Sequence, residues 1–161
     1  MIKDVLKLLL EGEAVQSDAI AKILGKSQSE VEQALKELEA DQTLLGWRPV
    51  INPKAIAENE VQALIEVSIT PERDGGFNRI AERIARFDQV VTCYLMSGGY
   101  DLMVIVHGEN LLKVATFVSE KLSTLGVVQS TATRFMLRPY KVDGFLIEES
   151  SEETDRPSVS P

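Results

Sequence analysis

Cysteine and histidine are nearly absent from this chain of 161 residues, with Cys93 and His107 each the only one of its kind. A single thiol excludes an intramolecular disulfide and a structural zinc cluster, and one imidazole leaves most transition-metal sites short of ligands. No metal or cofactor is expected, and a reducing cytoplasm is the compartment that fits. Long apolar runs are missing as well. Stretches such as Leu8–Leu10 and Leu102–Val106 fall far short of the roughly 20 residues that span a bilayer. No secretory leader is expected, because Glu11 and Glu13 closely follow the short N-terminal apolar run. With 6 Pro and 10 Gly, collagen-like and linker-dominated chains are excluded. Basic residues are the minority, 17 against 25 acidic, and the resulting net charge of -8 argues against a nonspecific polyanion binder.

What is present is an ordinary balance for a folded protein, 44% hydrophobic and 26% charged, sufficient for one compact domain or two small ones. The charge is unevenly spread. Residues 1–52 carry -3, residues 53–147 carry -1, and residues 148–161 carry -4. The last segment has no aromatic residue and no hydrophobic period, so it reads as a disordered acidic tail.

In residues 1–52 the apolar positions Ile2, Val5, Leu6, Leu9 and Leu10 share one helical face, and Gly12 ends the run. A second helix, capped by Ser17, follows with Ala19, Ile20, Ile23 and Leu24, up to Gly25. The third begins at Ser27-Gln28-Ser29-Glu30, which has the form of a capping box, and buries Val31, Ala34, Leu35 and Leu38. Two short helices joined around Gly25 have helix-turn-helix spacing. Leu44–Trp47 and Pro49–Ile51 are β-prone and predict a two-stranded wing.

Residues 53–147 follow another rhythm. Val61, Ala63, Ile65, Val67 and Ile69 alternate with mostly polar residues, the pattern of a half-buried strand. Phe77, Ile80, Ala81, Ile84 and Phe87 are helically spaced. Val90–Met96 and Leu102–Val106 are strands joined by Ser97-Gly98-Gly99-Tyr100-Asp101, then come a helix over Leu111–Leu125 and a strand over Val127–Leu137. The order βαββαβ predicts a ferredoxin-like α+β domain, an antiparallel sheet with both helices on one face. Its other face needs cover, and a second copy of the chain would provide it. A homodimer is therefore expected. Trp47 and Phe145 are read as packing residues, Cys93 as a buried thiol and His107 as a surface side chain.

A winged helix-turn-helix followed by a βαββαβ, ACT-like domain resembles the Lrp/AsnC, or feast/famine, family of prokaryotic transcriptional regulators. Ser27, Val31, Ala34-Leu35, Leu38-Glu39 and Gly46-Trp47 sit at the spacings of the family's recognition helix and wing. Gly98-Gly99-Tyr100-Asp101 resembles its Gly-x-(Tyr/Phe)-Asp motif, and Gly126-Val127, Thr131, Thr133 and Lys141 also fall at family positions. There are departures. The family's arginine is Ala34, its glycine before the wing is Gln42, and residues 27–41 carry -4.

The resemblance implies a cytoplasmic regulator that binds double-stranded DNA and an amino acid or related metabolite, as a dimer extending to tetramers or octamers. For DNA, Gln28, Ser29, Gln33 and Lys36 on the third helix would face the major groove, with Lys22, Lys26, Lys36 and Arg48 on phosphates. The plainer reading keeps this domain only for folding or protein contact, because acidic groups repel the DNA backbone. For the effector, Ser97, Gly98, Gly99, Tyr100 and Asp101 would form the loop, with Thr131 and Thr133 adding hydroxyls. Glycine amides would hold a carboxylate and Asp101 an α-ammonium. The plainer reading is a tight hairpin built from the residues hairpins use. Two other functions remain open: a metabolite-sensing module that has lost DNA binding, and an enzyme similar to the sirohaem decarboxylases. The last lacks support, since no acid-base pair, nucleophile triad or phosphate loop is visible.

Overall fold

The computed structural model describes residues 1–13, 15–55, 60–70 and 76–147. The expected acidic tail lies outside them. The chain divides into two compact units, Met1–Pro49 and Val50–Pro161.

The first unit contains α1 (Ile2–Glu11), α2 (Ser17–Leu24) and α3 (Gln28–Ala40). Their buried faces meet in one core of Val5, Leu8, Ile20, Ala21, Val31, Ala34 and Leu38. Gly25 closes α2 at φ 62°, a left-handed conformation in which a side chain would be strained. At α3 the capping box forms. Ser27 Oγ accepts from the Glu30 N–H, and Glu30 Oε2 accepts from the Ser27 N–H at 2.9 Å, satisfying two of the donors that a helix start leaves free.

Two expectations for this unit are corrected. Ser17 is the first helical residue of α2 and not its cap; Gln16 holds the cap position without a side-chain bond, and the Ser17 hydroxyl turns to Glu32. The wing does not form a ladder, as residues 45–50 take part in no strand pairing. Leu45 and Trp47, which would share one face of such a ribbon, are exposed, so that face is not covered, and an isolated two-stranded ribbon is at best marginal.

The second unit holds β1 (Val61–Ile69), α4 (Asn78–Ala85), β2 (Val90–Leu95), β3 (Leu102–Gly108), α5 (Leu111–Phe117) and β4 (Val128–Phe135). The four strands form one sheet in the order β2-β3-β1-β4, with every neighbouring pair antiparallel, which is the ferredoxin-like arrangement expected from the sequence. Ala63, Ile65, Val67 and Ile69 of β1, with Leu102, Val104 and Val106 of β3, pack under Ile80 and Ile84 of α4 and Val114 and Phe117 of α5. All the helices therefore cover one face. The open face carries Leu64, Glu66 and Ser68 of β1 beside Met103 and Ile105 of β3 and Arg134 of β4.

The second helix is shorter than expected. It is α-helical only to Phe117 and continues as a π-helical turn, Val118–Leu122, which brings Val118 and Leu122 into the core together with Leu125. β2 ends at Leu95 and β4 at Phe135, beyond which Leu137 is exposed. A further hairpin, β5 (Lys141–Val142) and β6 (Phe145–Leu146), turns through Asp143 and Gly144, both at positive φ. An Asp-Gly pair between apolar residues signals such a turn, so this element was readable from the sequence. Phe145 is largely exposed on it and Trp47 is half-exposed, so neither is the packing residue expected.

Candidate DNA surface and effector loop

On α3 the side chains of Gln28, Ser29, Gln33 and Lys36 are exposed, opposite the buried Val31, Ala34 and Leu38. Lys22, Lys26 and Arg48 are exposed too. Several of these groups already have partners. Gln28 Nε2 donates to Glu32 Oε1 at 2.8 Å and to Ser17 Oγ at 3.2 Å, Gln33 Nε2 donates to Glu37 Oε1 at 3.2 Å, and Lys22 Nζ lies 3.4 Å from Asp18. Each is an exposed contact of modest strength that a stronger partner can displace.

The acidic residues of α3 also have local roles. Glu30 turns back on Ser27, whose amide and hydroxyl hold its carboxyl below the ordinary value of 4.5. Glu32 sits one turn from Gln28 and within 3.5 Å of the Ser17 hydroxyl, joining the start of α2 to α3. Asp41 accepts from the Thr43 N–H beyond the helix, which lowers its pKa. Ala34, where the family has an arginine, is 0% exposed and packs in the core of the first unit. Gln42, in place of the glycine, adopts φ 61°, the left-handed conformation that glycine takes without strain.

In the second unit, Ser97–Asp101 connects β2 to β3 at the end of the sheet. Ser97, Gly98 and Gly99 are exposed and Tyr100 is half-buried. Gly98 has φ 142° while Gly99 does not occupy the left-handed region, and a methyl group built on either would touch nothing. The glycines thus present open backbone to solvent. Asp101 is the anchored member, with Oδ2 accepting from the Ile69 N–H at 2.8 Å.

Thr131 and Thr133 stand apart from this loop. They pair with Val67 and Ile65 on the helix-covered face, and β4 is separated from β3 by β1. At about 4.8 Å per strand, Thr131 lies roughly 10 Å from Leu102 within one protomer. One chain therefore gathers Ser97–Asp101 but not the two threonines.

Sequence reasoning missed the ion pair of the open face. Arg134 Nε lies 2.8 Å from Glu66 Oε1 and Nη2 3.1 Å from Oε2, a two-point contact that lowers the Glu66 pKa and raises that of Arg134, with Tyr100 adding a smaller electrostatic effect. Opposite charges on neighbouring strands of one face were the available signal. An apolar cavity of about 370 Å³ between Val50–Pro53 and the β5–β6 hairpin was also missed, and it contains none of the expected site residues. Cys93 is half-buried and its thiol pushed up by burial, while His107 is exposed on β3. Among the described residues no cluster of three or more His, Cys, Asp or Glu could hold a metal ion, and no helix is long and apolar enough to cross a membrane.

Residues 62–145 match the Lrp/AsnC ligand binding domain. Over 159 residues the chain is 40% identical to the HTH-type transcriptional regulator YugG of Bacillus subtilis, covering 98% of this chain and 95% of that one. Among solved structures, MtbAldR is similar with a TM-score of 0.73 at 20% identity, covering 91% of this chain and 97% of that one. The L-Met complex of transcriptional regulator NMB0573 from Neisseria meningitidis gives 0.65 at 20% identity, covering 89% and 93%. The relatives are regulators of transcription and not enzymes, which sets the decarboxylase alternative aside.

Proposed function

The chain belongs to the Lrp/AsnC family of transcriptional regulators and carries its ligand-binding domain, and from that premise we propose a cytoplasmic, dimeric DNA-binding protein whose hold on its operators is set by an amino acid or closely related metabolite. The observation that carries this reading is the distribution of acid on α3. The base-reading part of a recognition helix is its N-terminal half. There Glu30 is folded into the cap and Glu32 is held by Gln28, while Glu37, Glu39 and Asp41 belong to the far end. Ser29, Gln33 and Lys36 remain exposed for the groove, with Lys22, Lys26 and Arg48 available to phosphates.

The effector is held by the Ser97–Tyr100 backbone, whose glycines let a carboxylate approach closely, with Tyr100 supplying a hydroxyl and an aromatic wall. That a similar regulator was solved with L-Met supports an amino acid as the class of ligand. Thr131 and Thr133, distant from the hairpin within one protomer and on the helix-covered side of the sheet, join the site at a boundary between dimers and not through the open-face interface. The dimer forms through the open sheet face, where half-buried Leu64, Met103 and Ile105 flank the Glu66–Arg134 pair. Further association to tetramers or octamers brings helix-turn-helix pairs into register with successive half-sites, and the ligand shifts that register.

The net charge of -4 over residues 27–41 favours a second reading, a ligand-sensing oligomer without DNA binding. One experiment separates the two. Calorimetry against the twenty amino acids is combined with mobility shifts on the chain's own upstream DNA at low salt, with and without ligand. A shift altered by a binding amino acid supports the regulator, whereas heat without any shift supports the second reading.

A further inference from the structure

We propose that Asp101 is the positioning residue of the effector loop, setting the orientation of the Ser97–Tyr100 backbone from beneath instead of serving as the partner of the ligand's ammonium group. The inference rests on the reading of this hairpin as the effector site, and it changes what Asp101 does there.

All three polar groups of Asp101 engage the sheet. Its N–H donates to Val67 O at 3.0 Å, its carbonyl accepts from the Met96 N–H at 2.8 Å, and Oδ2 accepts from the Ile69 N–H at 2.8 Å. The first and third of these tie the hairpin to β1 and the second closes its neck across β2. The carboxylate bond falls at the end of a ladder. The last β1–β3 pair is Val67–Leu102, so the Ile69 N–H, which faces the same side as the Val67 carbonyl, lies past the final rung of that ladder, and the Asp101 carboxylate supplies its acceptor. The Ile69 side chain is buried in the core, which makes this amide a firm anchor.

The outer side of the loop is the reverse. Ser97, Gly98 and Gly99 are exposed, and nothing lies within 4 Å of the Cβ position of either glycine. A loop of glycines has many accessible conformations, and its amides can converge on a carboxylate only if something fixes them beforehand. Asp101 does so from the protein side, leaving the solvent side for ligand.

Acceptor geometry and charge can be separated by substitution. Asp101→Asn keeps a side-chain oxygen for the Ile69 N–H and loses the charge; Asp101→Ala loses both. The full-length wild type and both variants are titrated by calorimetry with each of the twenty amino acids, and the exchange of the Ile69 and hairpin amides is followed by NMR without ligand. The expected result is that Asn retains amino-acid affinity within about threefold and keeps the Ile69 amide protected, while Ala loses affinity by roughly tenfold or more together with that protection. An Asn variant that loses binding as fully as Ala while its Ile69 amide stays protected would assign the charge directly to the ligand and overturn the positioning role alone. An Ile69 amide equally protected in Ala would overturn it as well. Absence of heat from wild type with every amino acid would remove the effector reading itself, and this proposal with it.

Discussion

Glu32 accepts a 2.8 Å hydrogen bond from Gln28 one turn earlier on α3, and the same carboxylate lies 3.5 Å from the hydroxyl of Ser17 at the start of α2. The acid that most opposes DNA binding by its charge is therefore also a tie between the two helices of the motif. Its hydrogen-bonding and electrostatic effects are separable. Glu32→Gln retains an acceptor oxygen and removes the charge, so thermal stability is expected to stay within about 0.5 kcal/mol. DNA affinity at low salt is expected to rise about threefold, from the loss of one unscreened repulsion near the phosphates. Parallel thermal melts and fluorescence anisotropy on labelled duplex check the two halves; an unchanged affinity would place Glu32 away from the DNA.

The capping box predicts a helix-specific loss. Ser27→Ala removes the acceptor for the Glu30 N–H and is expected to destabilise the first unit by about 1 kcal/mol. The pH dependence follows from the same contact. Glu30 is held below its ordinary 4.5 in the folded state, so its contribution is present above 4.5 and is lost as pH falls through the lowered value. The gap between wild type and Ser27→Ala should narrow only in part as the solution is acidified below 4.5, because the Ser27 N–H still reaches Glu30 in the variant and the bond from the Glu30 N–H to Ser27 Oγ does not titrate; urea melts that show the gap widening with acid would contradict this assignment.

Gly108 ends β3 where the chain turns into α5, and a Cβ there would stand 2.6 Å from Cγ2 of the buried Val114. Gly108→Ala forces either α5 or the strand end to shift, with an expected loss of about 1–3 kcal/mol by denaturant titration. Gly108→Ala combined with Val114→Ala should lose less than the sum of the two single variants, because the clashing methyl is gone. A single variant as stable as wild type would show that the helix yields freely.

On the open sheet face, Glu66 and Arg134 test the dimer. Reversal of one charge, Arg134→Glu, leaves two carboxylates side by side on a surface proposed to be buried between subunits, and dissociation at micromolar concentration is expected in sedimentation or light scattering. The exchanged pair Glu66→Arg with Arg134→Glu should restore much of the association. Acid should act in the same direction, since the Arg134 guanidinium holds the Glu66 carboxyl below its ordinary 4.5 and protonation below that range dissolves the pair. A wild type that is monomeric at neutral pH would remove the basis of this prediction.

Much of the fold was legible because its signals are local. Alternation in Val61–Ile69 marked the central strand, Ser27 with Glu30 marked a helix start, and glycines at 25 and 98 marked chain reversals. What could not be read depends on partners distant in sequence. Ser17 looks like a helix cap until Glu32 competes for its hydroxyl, and Asp101 looks like a free hairpin carboxylate until Ile69, 32 residues away, occupies it. The wing was expected from β-prone residues alone, but ladders require a partner and a covered face, which Leu45 and Trp47 do not have in this chain. Ala34, read from the sequence as a departure on the recognition helix, is fully buried in the core of the first unit.

If this acidic protein holds DNA through a small set of cations, binding to its own upstream duplex must weaken steeply with salt. Four candidate phosphate contacts per subunit, Lys22, Lys26, Lys36 and Arg48, give eight per dimer and a limiting slope of log K against log salt near about -7. With Lys22 engaged by Asp18, binding is expected at roughly 50 mM salt with a slope between about -4 and -7. No binding at that salt, with or without amino acids, or a slope close to zero, would contradict it.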